Sequence, residues 1–349
     1  MEISGLGQWC KIIQTERMLA MTEKLRWGLL STAKINAALF KPLAKSKRNT
    51  LFAVGSRSEE SAQAYAAEHS IPRAHGTYEA LLADPEVDVI YNSLPNHLHA
   101  EWTIKALEAG KHVLCEKPFA LTLDEVDAMS EAAQRTGKVL AEAFMYRTHP
   151  QTIKAKEIVD SGELGKILIV KGGFTFTFAR PGNYRLDPAL GGGGLWDVGC
   201  YPLSYARTML GLEPLEVFGW QMTGESGIDE FFSAQMLFPG EIHAQFDCGF
   251  RGPFRAFIEI VGELGTLEIP TPFHPGKKTD ILLTRNGKTK KIEVKGQNTY
   301  LGEVEDMADA ILLGKAPHIS LVDSRANVAA ILALYKSAKT GKVVRLKKE

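Results

Sequence analysis

The sequence predicts an α/β protein: an N-terminal doubly wound parallel sheet is followed by an α+β domain with a large open, mostly antiparallel sheet. Short apolar runs alternate with amphipathic segments up to about residue 146, as in repeated βα units. Beyond about residue 165, longer segments of alternating polarity are joined by hairpin-like turns such as Asn286-Gly287. The expected division is an N-terminal extension at 1–24, a first domain at 25–146 and a second domain at 147–349.

Five apolar segments are the candidate strands of the first domain. Their apolar character is nearly continuous, which suits parallel strands that are covered by helices on both faces. Gly110 follows a helical segment and is a natural helix stop. The candidate strands are 25–31, 50–57, 87–95, 112–116 and 138–146.

The second domain shows the alternating pattern of antiparallel strands, with helices between them. Helices are expected near 200–211, 300–313 and 321–338. The candidate strands lie at 167–179, 231–239, 241–250, 255–262, 265–270 and 280–294.

The balance of charges favours a small-molecule ligand. Lysine and arginine total 41, and aspartate and glutamate also total 41, so no net charge attracts nucleic acid or an anionic membrane surface. No apolar run approaches the roughly 20 residues that span a bilayer. We therefore expect neither a nucleic-acid partner nor a membrane partner.

The cysteines and the N-terminus favour a cytoplasmic protein. Cys10, Cys115, Cys200 and Cys248 are scattered, without the spacing of zinc ligands or of a disulfide framework, so we expect no metal site. The first 24 residues lack the apolar core of a signal peptide, and their glutamates argue against a mitochondrial transit peptide. They are either the product of an upstream translation start or an arm used in oligomer contacts.

The turn after the first strand has the small residues of a weak phosphate-binding turn. Ser31, Thr32 and Ala33 stand where a dinucleotide site usually has Gly-x-Gly, next to a helix N-terminus that supplies N–H donors. Both hydroxyls are suited to bonding phosphate oxygens. The alternative is an ordinary strand-to-helix turn with Ser31 or Thr32 as the N-cap.

Ser56 and Arg57 end the second candidate strand, where an NAD enzyme usually places an acidic residue against the ribose 2′-hydroxyl. A guanidinium instead offers a planar fork for a 2′-phosphate. The sequence therefore predicts NADP(H), with NAD less favoured. The alternative for Arg57 is a solvated surface arginine.

Two further motifs suggest catalysis. Glu116 and Lys117 fall at the carboxyl end of a strand, where open α/β sheets bind ligands, and Pro118 is expected to hold Lys117 in an extended conformation. Taken alone, such a Lys-Pro pair is most often a solvated turn. Asp197 and Tyr201 are four residues apart at the start of a predicted helix, so they share a face.

The segment 94–129, which contains Glu116-Lys117-Pro118, closely resembles the glucose-fructose oxidoreductase / inositol dehydrogenase / rhizopine catabolism family. In that family Glu-Lys-Pro closes the fifth strand of a Rossmann domain. The resemblance covers 25–146 closely and continues more loosely through the glycine-rich segment 191–206 to the end of the chain. The Ser-Thr-Ala turn resembles the branch with dihydrodiol dehydrogenases, NADP-dependent aldose dehydrogenases and deoxysugar ketoreductases.

The resemblance implies an NADP(H)-dependent enzyme that moves a hydride between nicotinamide and a sugar or cyclic polyol. The residue that matches Tyr201 is the proton donor or acceptor, and the lysine that matches Lys117 contacts substrate oxygen and nicotinamide ribose. A cation beside a phenol is expected to stabilise its phenolate. Asp197 is expected to position the substrate or Lys117. The alternative function is a non-catalytic dinucleotide-binding sensor or co-regulator on the same fold.

Further contacts are implied by the match. Arg147 and His149 lie in the segment that borders nicotinamide and substrate, although helix capping or an interdomain role is an alternative for both. Arg185 is a candidate for bonding sugar hydroxyls. The expected cofactor contacts are Ser31, Thr32, Ala33, Ile35, Ser56, Arg57, Leu94, Pro95, Asn96, His99, Glu116, Lys117 and Arg147. The expected substrate contacts are Lys117, His149, Arg185, Asp197 and Tyr201.

A homodimer or homotetramer is expected to form through the second sheet. An open antiparallel sheet with an apolar outer face usually needs a cover, and members of this family often pair these sheets.

Overall fold

The computed structural model describes residues 24–178 and 182–346. Within these ranges the chain forms two sheets, one after the other in sequence, and this confirms the predicted α/β class. The predicted N-terminal extension lies outside the described residues except for its last position. No helix in the described ranges is long and apolar enough to cross a membrane.

The first sheet has six parallel strands in the order β3-β2-β1-β4-β5-β6, which is a doubly wound arrangement. Each of the five candidate strands is present: the one at 112–116 has the predicted bounds, three are shorter than predicted, and the one predicted at 50–57 begins one residue earlier and ends two residues earlier. Strand β3 was not predicted. The strands are β1 Leu25–Leu30, β2 Asn49–Gly55, β3 Arg73–His75, β4 Val89–Asn92, β5 His112–Glu116 and β6 Leu140–Ala143.

Helices cover both faces of this sheet, as nearly continuous apolar strands require. On β1, Trp27 and Leu29 are buried on one face and Leu30 is buried on the other. Gly110 has a φ of +79° just after a helix, which confirms it as a helix stop. The helices are α1 Ala37–Lys45, α2 Glu59–His69, α3 Tyr78–Ala83, α4 His99–Glu108 and α5 Leu123–Thr136.

The second sheet has nine strands in the order β14-β13-β12-β11-β7-β10-β9-β8-β15. Neighbouring strands are antiparallel except for the parallel pair β7 and β10, so the prediction of a mostly antiparallel sheet is confirmed. Asn286 and Gly287, with φ of +50° and +70°, turn the chain between β13 and β14 as expected. The strands are β7 Ile167–Thr175, β8 Glu216–Thr223, β9 Asp229–Phe238, β10 Ile242–Gly249, β11 Arg255–Gly262, β12 Gly265–Ile269, β13 Lys278–Arg285, β14 Lys288–Lys295 and β15 Val344–Arg345.

The helices of the second part divide between the two sheets. One helix returns to the first sheet, where its Val304 and Met307 pack with Trp27 and Leu39. The boundary at 146/147 therefore stays a prediction, because the chain crosses back over it. The helices are α6 Pro150–Asp160, α7 Cys200–Leu210, α8 Leu301–Leu313 and α9 Leu321–Thr340, and α8 is the one that returns. Single turns of other helix types lie at Lys34–Asn36, Asn96–Leu98, Tyr184–Leu186, Pro188–Leu190, Leu195–Gly199 (a π-helical turn) and Pro239–Glu241.

A segment of the second part crosses the carboxyl ends of the first sheet. The Asn96 side chain donates to the Gly191 carbonyl over 2.8 Å, and Lys117 Nζ donates to the Asp197 carbonyl over 2.7 Å. The two sheets thus meet where parallel strands place ligands.

Candidate active site

A cleft of about 950 Å³ lies at the carboxyl ends of the first strands of the parallel sheet. It contains the turn and the strand end that the sequence predicted for a dinucleotide. It is lined by Ser31, Thr32, Ala33, Lys34, Ile35, Ser56, Arg57, Ser58, Ser61, Tyr78, Ser93, Leu94, Pro95, His97, Leu98, Asn183, Tyr184, Arg185 and Leu190.

The turn after β1 is stabilised by hydrogen bonds within the protein. Ser31 has a φ of +137°, which favours glycine, so the serine adopts the backbone shape of a Gly-x-Gly turn. Its hydroxyl accepts from Ala33 N–H over 3.2 Å and is paired with Ser93 over 2.9 Å. The N-cap of the first helical turn is Ala33, so the capping alternative for Ser31 and Thr32 does not hold. Because Ser31 is used within the protein, Thr32 is the better hydroxyl donor to a ligand.

The far end of the cleft is rich in serine. Ser56, Arg57, Ser58 and Ser61 line it beside Tyr78. No aspartate or glutamate is among the described residues that line the cleft. A cation with several hydroxyls, and no carboxylate opposite, matches the chemistry of a bound phosphate.

A smaller pocket of about 220 Å³ adjoins the cleft. The two share Ile35, Ser93, Leu94, Tyr184 and Arg185, so a ligand in the cleft can present one end to the pocket. The lining also includes Asn96, His99, Glu116, Lys117, Met145, Phe174, Phe176, Asp197, Val198, Tyr201, His274 and Tyr300.

Lys117 enters this pocket from the end of β5. Its Nζ donates to the Asp197 carbonyl over 2.7 Å and to Asp197 Oδ1 over 3.2 Å, which leaves its third N–H for a ligand. The Lys117-Pro118 peptide bond is cis. Burial alone would lower the pKa of Lys117, but the charges of Asp197, Glu116 and other neighbouring groups together raise it. Lys117 is therefore a fixed cation at neutral pH.

Asp197 joins two cations. Arg185 Nε donates to Asp197 Oδ2 over 2.8 Å, on the side opposite Lys117. Burial would raise the pKa of the Asp197 carboxyl, but the Lys117 ammonium and the Arg185 guanidinium hold it below its ordinary value. Asp197 contacts Lys117 directly, as one of its two expected roles requires, and its role toward the substrate stays a prediction.

Tyr201 occupies the aromatic side of the pocket. Its hydroxyl lies 3.7 Å from the Met145 sulfur, and Lys117 Nζ lies 5.1 Å from its ring centre. Burial raises the pKa of Tyr201 well above its ordinary value, and neighbouring Tyr300 adds to the shift. The expectation that Lys117 stabilises the phenolate stays a prediction, because Lys117 Nζ lies near the Tyr201 ring but is also paired with Asp197.

Glu116 and His99 support the same corner of the pocket. Glu116 accepts a hydrogen bond from the Tyr91 hydroxyl, and burial raises the pKa of Glu116. Both ring nitrogens of His99 lie 2.8 Å from backbone carbonyl oxygens, those of Pro118 and Leu94. Burial lowers the pKa of His99 to about 4. The His99 ring is thus held by backbone carbonyls that follow two neighbouring strands, one of them next to Lys117.

Two expected contacts lie elsewhere. Arg147 is buried and donates to Asp323 over 2.7 Å and to Ser204 over 3.2 Å, in a separate cleft. The expected cofactor role is not what the structure shows, because the guanidinium is committed to Asp323. His149 accepts from the Gln151 N–H over 3.1 Å as the N-cap of α6, so its capping alternative holds in place of a substrate contact.

Several pocket residues have no sequence motif. Tyr184, His274 and Tyr300 line the pocket and come from a short helical turn, a loop and the start of α8. Only Tyr184 had a signal, since it adjoins the candidate Arg185. In the ranges that the structure describes, no group of His, Cys, Asp and Glu side chains is arranged to hold a metal ion.

A parallel sheet with a nucleotide cleft that opens onto a lysine, a carboxylate and a phenol defines a dinucleotide-dependent oxidoreductase. Residues 25–144 match the family model described as "Oxidoreductase family, NAD-binding Rossmann fold", and residues 152–268 match the GFO/IDH/MocA C-terminal domain. The chain belongs to the glucose-fructose oxidoreductase / inositol dehydrogenase / rhizopine catabolism family, as its motifs predicted.

Three relatives represent the predicted branch. D-xylose 1-dehydrogenase (NADP(+)) 2 of Haloferax volcanii is 35% identical over 92% of this chain and 100% of its own. Trans-1,2-dihydrobenzene-1,2-diol dehydrogenase of Danio rerio is 32% identical over 70% of this chain and 74% of its own. A solved 3-ketoreductase of Actinomadura kijaniata, in complex with NADP and TDP-benzene, is 26% identical with a TM-score of 0.85, and the match covers 90% of this chain and 98% of that one.

Proposed function

We propose that the protein is an NADP(H)-dependent oxidoreductase that transfers a hydride between nicotinamide and a sugar or cyclic polyol. The observation that carries this proposal is the small pocket at the end of the nucleotide cleft, where Lys117 keeps one N–H for a ligand oxygen. One relative is named for a sugar and another for a cyclic diol, and in both substrates the group that a dehydrogenase oxidises is a CH–OH group. The same pocket suits aldose 1-dehydrogenase, keto-sugar reductase and dihydrodiol dehydrogenase reactions.

The cleft fits a dinucleotide. Ser31 gives the first turn the shape of a glycine turn, and Thr32 and Ser56 line the path of the phosphates. Arg57 stands at the end where the adenosine 2′-position is read, without a carboxylate to repel a phosphate. The nicotinamide, when bound, supplies or accepts the hydride. Two of the three relatives carry NADP in their names or complexes, which agrees with this choice.

Lys117 and Tyr201 have separate tasks in the pocket. Lys117 is charged and aimed by Asp197, so it stabilises negative charge that develops on the substrate oxygen. Tyr201 holds its proton at neutral pH and donates it to a carbonyl oxygen during reduction. In the direction of oxidation, Tyr201 can accept the proton of the substrate hydroxyl only after the phenol has lost its own proton.

A cofactor-coupled absorbance screen tests this function. Purified protein is mixed with NADPH and keto-sugars, and with NADP+ and aldoses or trans-dihydrodiols. We expect turnover with at least one class, and Lys117→Met is expected to lower it by roughly 10²-fold or more. Lys105→Met is the matched control, because Lys105 is an exposed helix residue that pairs with Glu101, lies over the Trp102 ring and lines neither the cleft nor the pocket. Tight cofactor binding without turnover on any of these substrates would instead support the sensor function.

We also propose a homodimer or homotetramer that forms through the outer face of the second sheet. Trp220 and Met222 on β8 are 59% and 51% exposed, and Phe218 packs edge-on against the Trp220 ring. Gly219, between them, faces Ser337 of α9, so the aromatic side chains lie on the face opposite that helix. Light scattering should give a dimer or larger species that Trp220→Glu converts to monomer. A monomeric wild-type protein would contradict this.

We propose a cytoplasmic location. Three cysteines, Cys115, Cys200 and Cys248, are buried and free within the described residues, which suits a reducing compartment. Fractionation should recover the protein with cytoplasmic markers, and recovery in a secreted fraction would contradict the proposal.

A further inference from the structure

Asp229 lies under the helical turn that carries the catalytic groups. It is the first residue of β9 and is 3% exposed. Its Oδ2 accepts the Leu195 N–H over 2.6 Å, and its Oδ1 accepts the Tyr335 hydroxyl of α9 over 2.7 Å. Leu195 begins the π-helical turn that contains Asp197 and leads directly to Tyr201. One buried carboxylate therefore connects β9 and α9 to the start of the catalytic helix.

The run of four glycines at 191–194, called the glycine run below, is explained by the Asp229 carboxylate. Gly193 has a φ of +134°, and a Cβ there would lie 2.3 Å from Asp229 Oδ1 and 2.8 Å from the Tyr335 hydroxyl. Any side chain at this position would displace the carboxylate. Gly194 also has no room for a side chain, since its Cβ would lie 2.9 Å from the Cα of Gly249 and 3.1 Å from the Asp229 carbonyl oxygen. The glycines are needed because the chain passes directly over Asp229.

We propose that Asp229 is a positioning residue of the reaction: its carboxylate anchors the first turn of the helix that presents Asp197 to Lys117 and Tyr201 to the substrate. The proposal rests on the proposed function, because it concerns the same pocket. A negative charge is favourable at a helix N-terminus, where backbone N–H groups lack partners. Here the anchor also receives a phenol hydroxyl, which fixes the helix relative to α9.

The Asp229 carboxylate, which is the proposed anchor, has a pKa within the range of an ordinary pH profile. Burial raises the pKa of Asp229 to about 6, in spite of the hydrogen bonds from Tyr335 and Leu195, which lower it. The groups that face it keep their protons: burial raises the pKa of Tyr335 on α9 and of Cys248 on β10 well above their ordinary values. Its chain neighbour Glu230 is paired with Arg251 on the outside.

Protonation of Asp229 weakens its hydrogen bonds to the helix, because a neutral acid accepts less strongly than a carboxylate. Activity should therefore fall as the pH drops through about 6. Lys117 and Asp197 do not change charge there, since the pKa of Lys117 is raised and the pKa of Asp197 is lowered. Glu116 also lines the pocket with a raised pKa, so the source of an acid limb must be assigned with variants.

Two variants identify the group that causes the acid limb of the pH profile. Asp229→Asn is expected to lower kcat/KM by roughly tenfold or more at pH 8, from the loss of charged hydrogen bonds, and to remove the acid limb. Tyr335→Phe removes a hydrogen bond that favours the carboxylate, so the acid limb should move to higher pH. Asp247→Asn is the matched control, because Asp247 is paired with Arg255 on β11, away from the glycine run. A merely structural role would lower activity equally at every pH.

Hydrogen exchange of the 191–201 segment gives a readout that does not require turnover. In wild-type protein, protection of these amides, corrected for intrinsic exchange, should fall below pH 6, and in Tyr335→Phe it should fall at higher pH. If no substrate reacts but the protection follows this pattern, the proposed function fails and the anchor stands. An acid limb and a protection profile that are the same in wild type, Asp229→Asn and Tyr335→Phe would overturn the proposal.

Discussion

The two sides of the small pocket are built differently. On one side, Lys117, Asp197 and Arg185 are charged and joined by hydrogen bonds of 2.7 to 3.2 Å. On the other side, Tyr201 packs edge-on against the Phe144 ring, and its hydroxyl has a sulfur atom as its neighbour. On the charged side, Asp197 compensates the charge of the Lys117 cation. On the aromatic side, burial raises the pKa of the Tyr201 phenol above its ordinary value.

Under the proposed function, this contrast assigns charge stabilisation to Lys117 and proton donation to Tyr201. A lysine that lay directly against the phenol would lower the pKa of the phenol and release its proton early. In the proposed mechanism, Asp197 compensates the charge of Lys117, so the proton of Tyr201 and the positive charge of Lys117 are held at different places. The charged side should therefore matter for both folding and activity, and the aromatic side for activity.

Breaking the charged side has the largest expected effect. Asp197→Ala leaves Lys117 and the half-buried Arg185 without their shared carboxylate, so the free energy of unfolding should fall by about 3 kcal/mol, the lower end of the cost of breaking a buried ion pair, and turnover should be lost. Denaturant unfolding and kcat/KM measure the two effects. Asp187→Ala is a suitable control, because this exposed aspartate caps only a short helical turn. An Asp197→Ala protein with wild-type stability would mean that the charges are not held as described.

Breaking the aromatic side should affect activity alone. Tyr201→Phe removes a hydroxyl that contacts only a sulfur atom among the described neighbours, so stability should change by less than about 1 kcal/mol. Turnover should fall by roughly 10²- to 10⁴-fold, the range of lost acid catalysis. Tyr205→Phe, one turn later in α7 and outside the pocket, is the matched control. Equal rates for Tyr201→Phe and wild type would remove Tyr201 from the mechanism.

The same side makes a prediction about pH. Because the pKa of Tyr201 is raised, the phenol is protonated below that raised value and loses its proton only above it. The rate of reduction should therefore show no alkaline limb from Tyr201 between pH 7 and about 10, the ordinary pKa of tyrosine. A loss of kcat centred near pH 8 that disappears in Tyr201→Phe would show that the phenol is acidified after all.

The smallest expected effect concerns cofactor choice and leaves both sides of the pocket intact. Arg57→Ala should weaken NADPH binding by roughly tenfold, the value of a charge-assisted hydrogen bond to phosphate, without changing NADH binding. Fluorescence titration of the two cofactors provides the comparison within one protein. Tighter binding of NADH than of NADPH by the wild type would contradict the role of Arg57.

The sequence was a good guide where a feature depends on local pattern. Apolar continuity predicted β1 and β5, and the Asn286-Gly287 turn was recognisable because few residues adopt its backbone angles. Strand β3 was missed because Arg73–His75 is three residues long and carries polar side chains at both ends. Strand β8 was missed because its second half, with Trp220, is exposed on both faces and so has no alternation.

For the site, sequence motifs predicted the residues near Lys117 but not the pocket residues that come from distant segments of the chain. Tyr300 and His274 reach the pocket only through the return of α8 and the path of a loop, which no local pattern encodes. Arg147 and His149 were misplaced because they follow β6 closely, yet their partners Asp323 and Gln297 lie far along the chain and turn them away. Asp229 had no signal of its own, although the glycine run that passes over it was visible.

The most direct test of the account is single-turnover kinetics with NADPH carrying deuterium at the transferred C4 position. With a keto-sugar that the wild type reduces, the account predicts a primary isotope effect on the loss of nicotinamide absorbance, and a loss of the reaction in Lys117→Met with NADPH affinity retained. Absorbance loss without an isotope effect and unchanged in Lys117→Met, or no reaction of bound NADPH with any sugar or polyol, would contradict hydride transfer in this pocket.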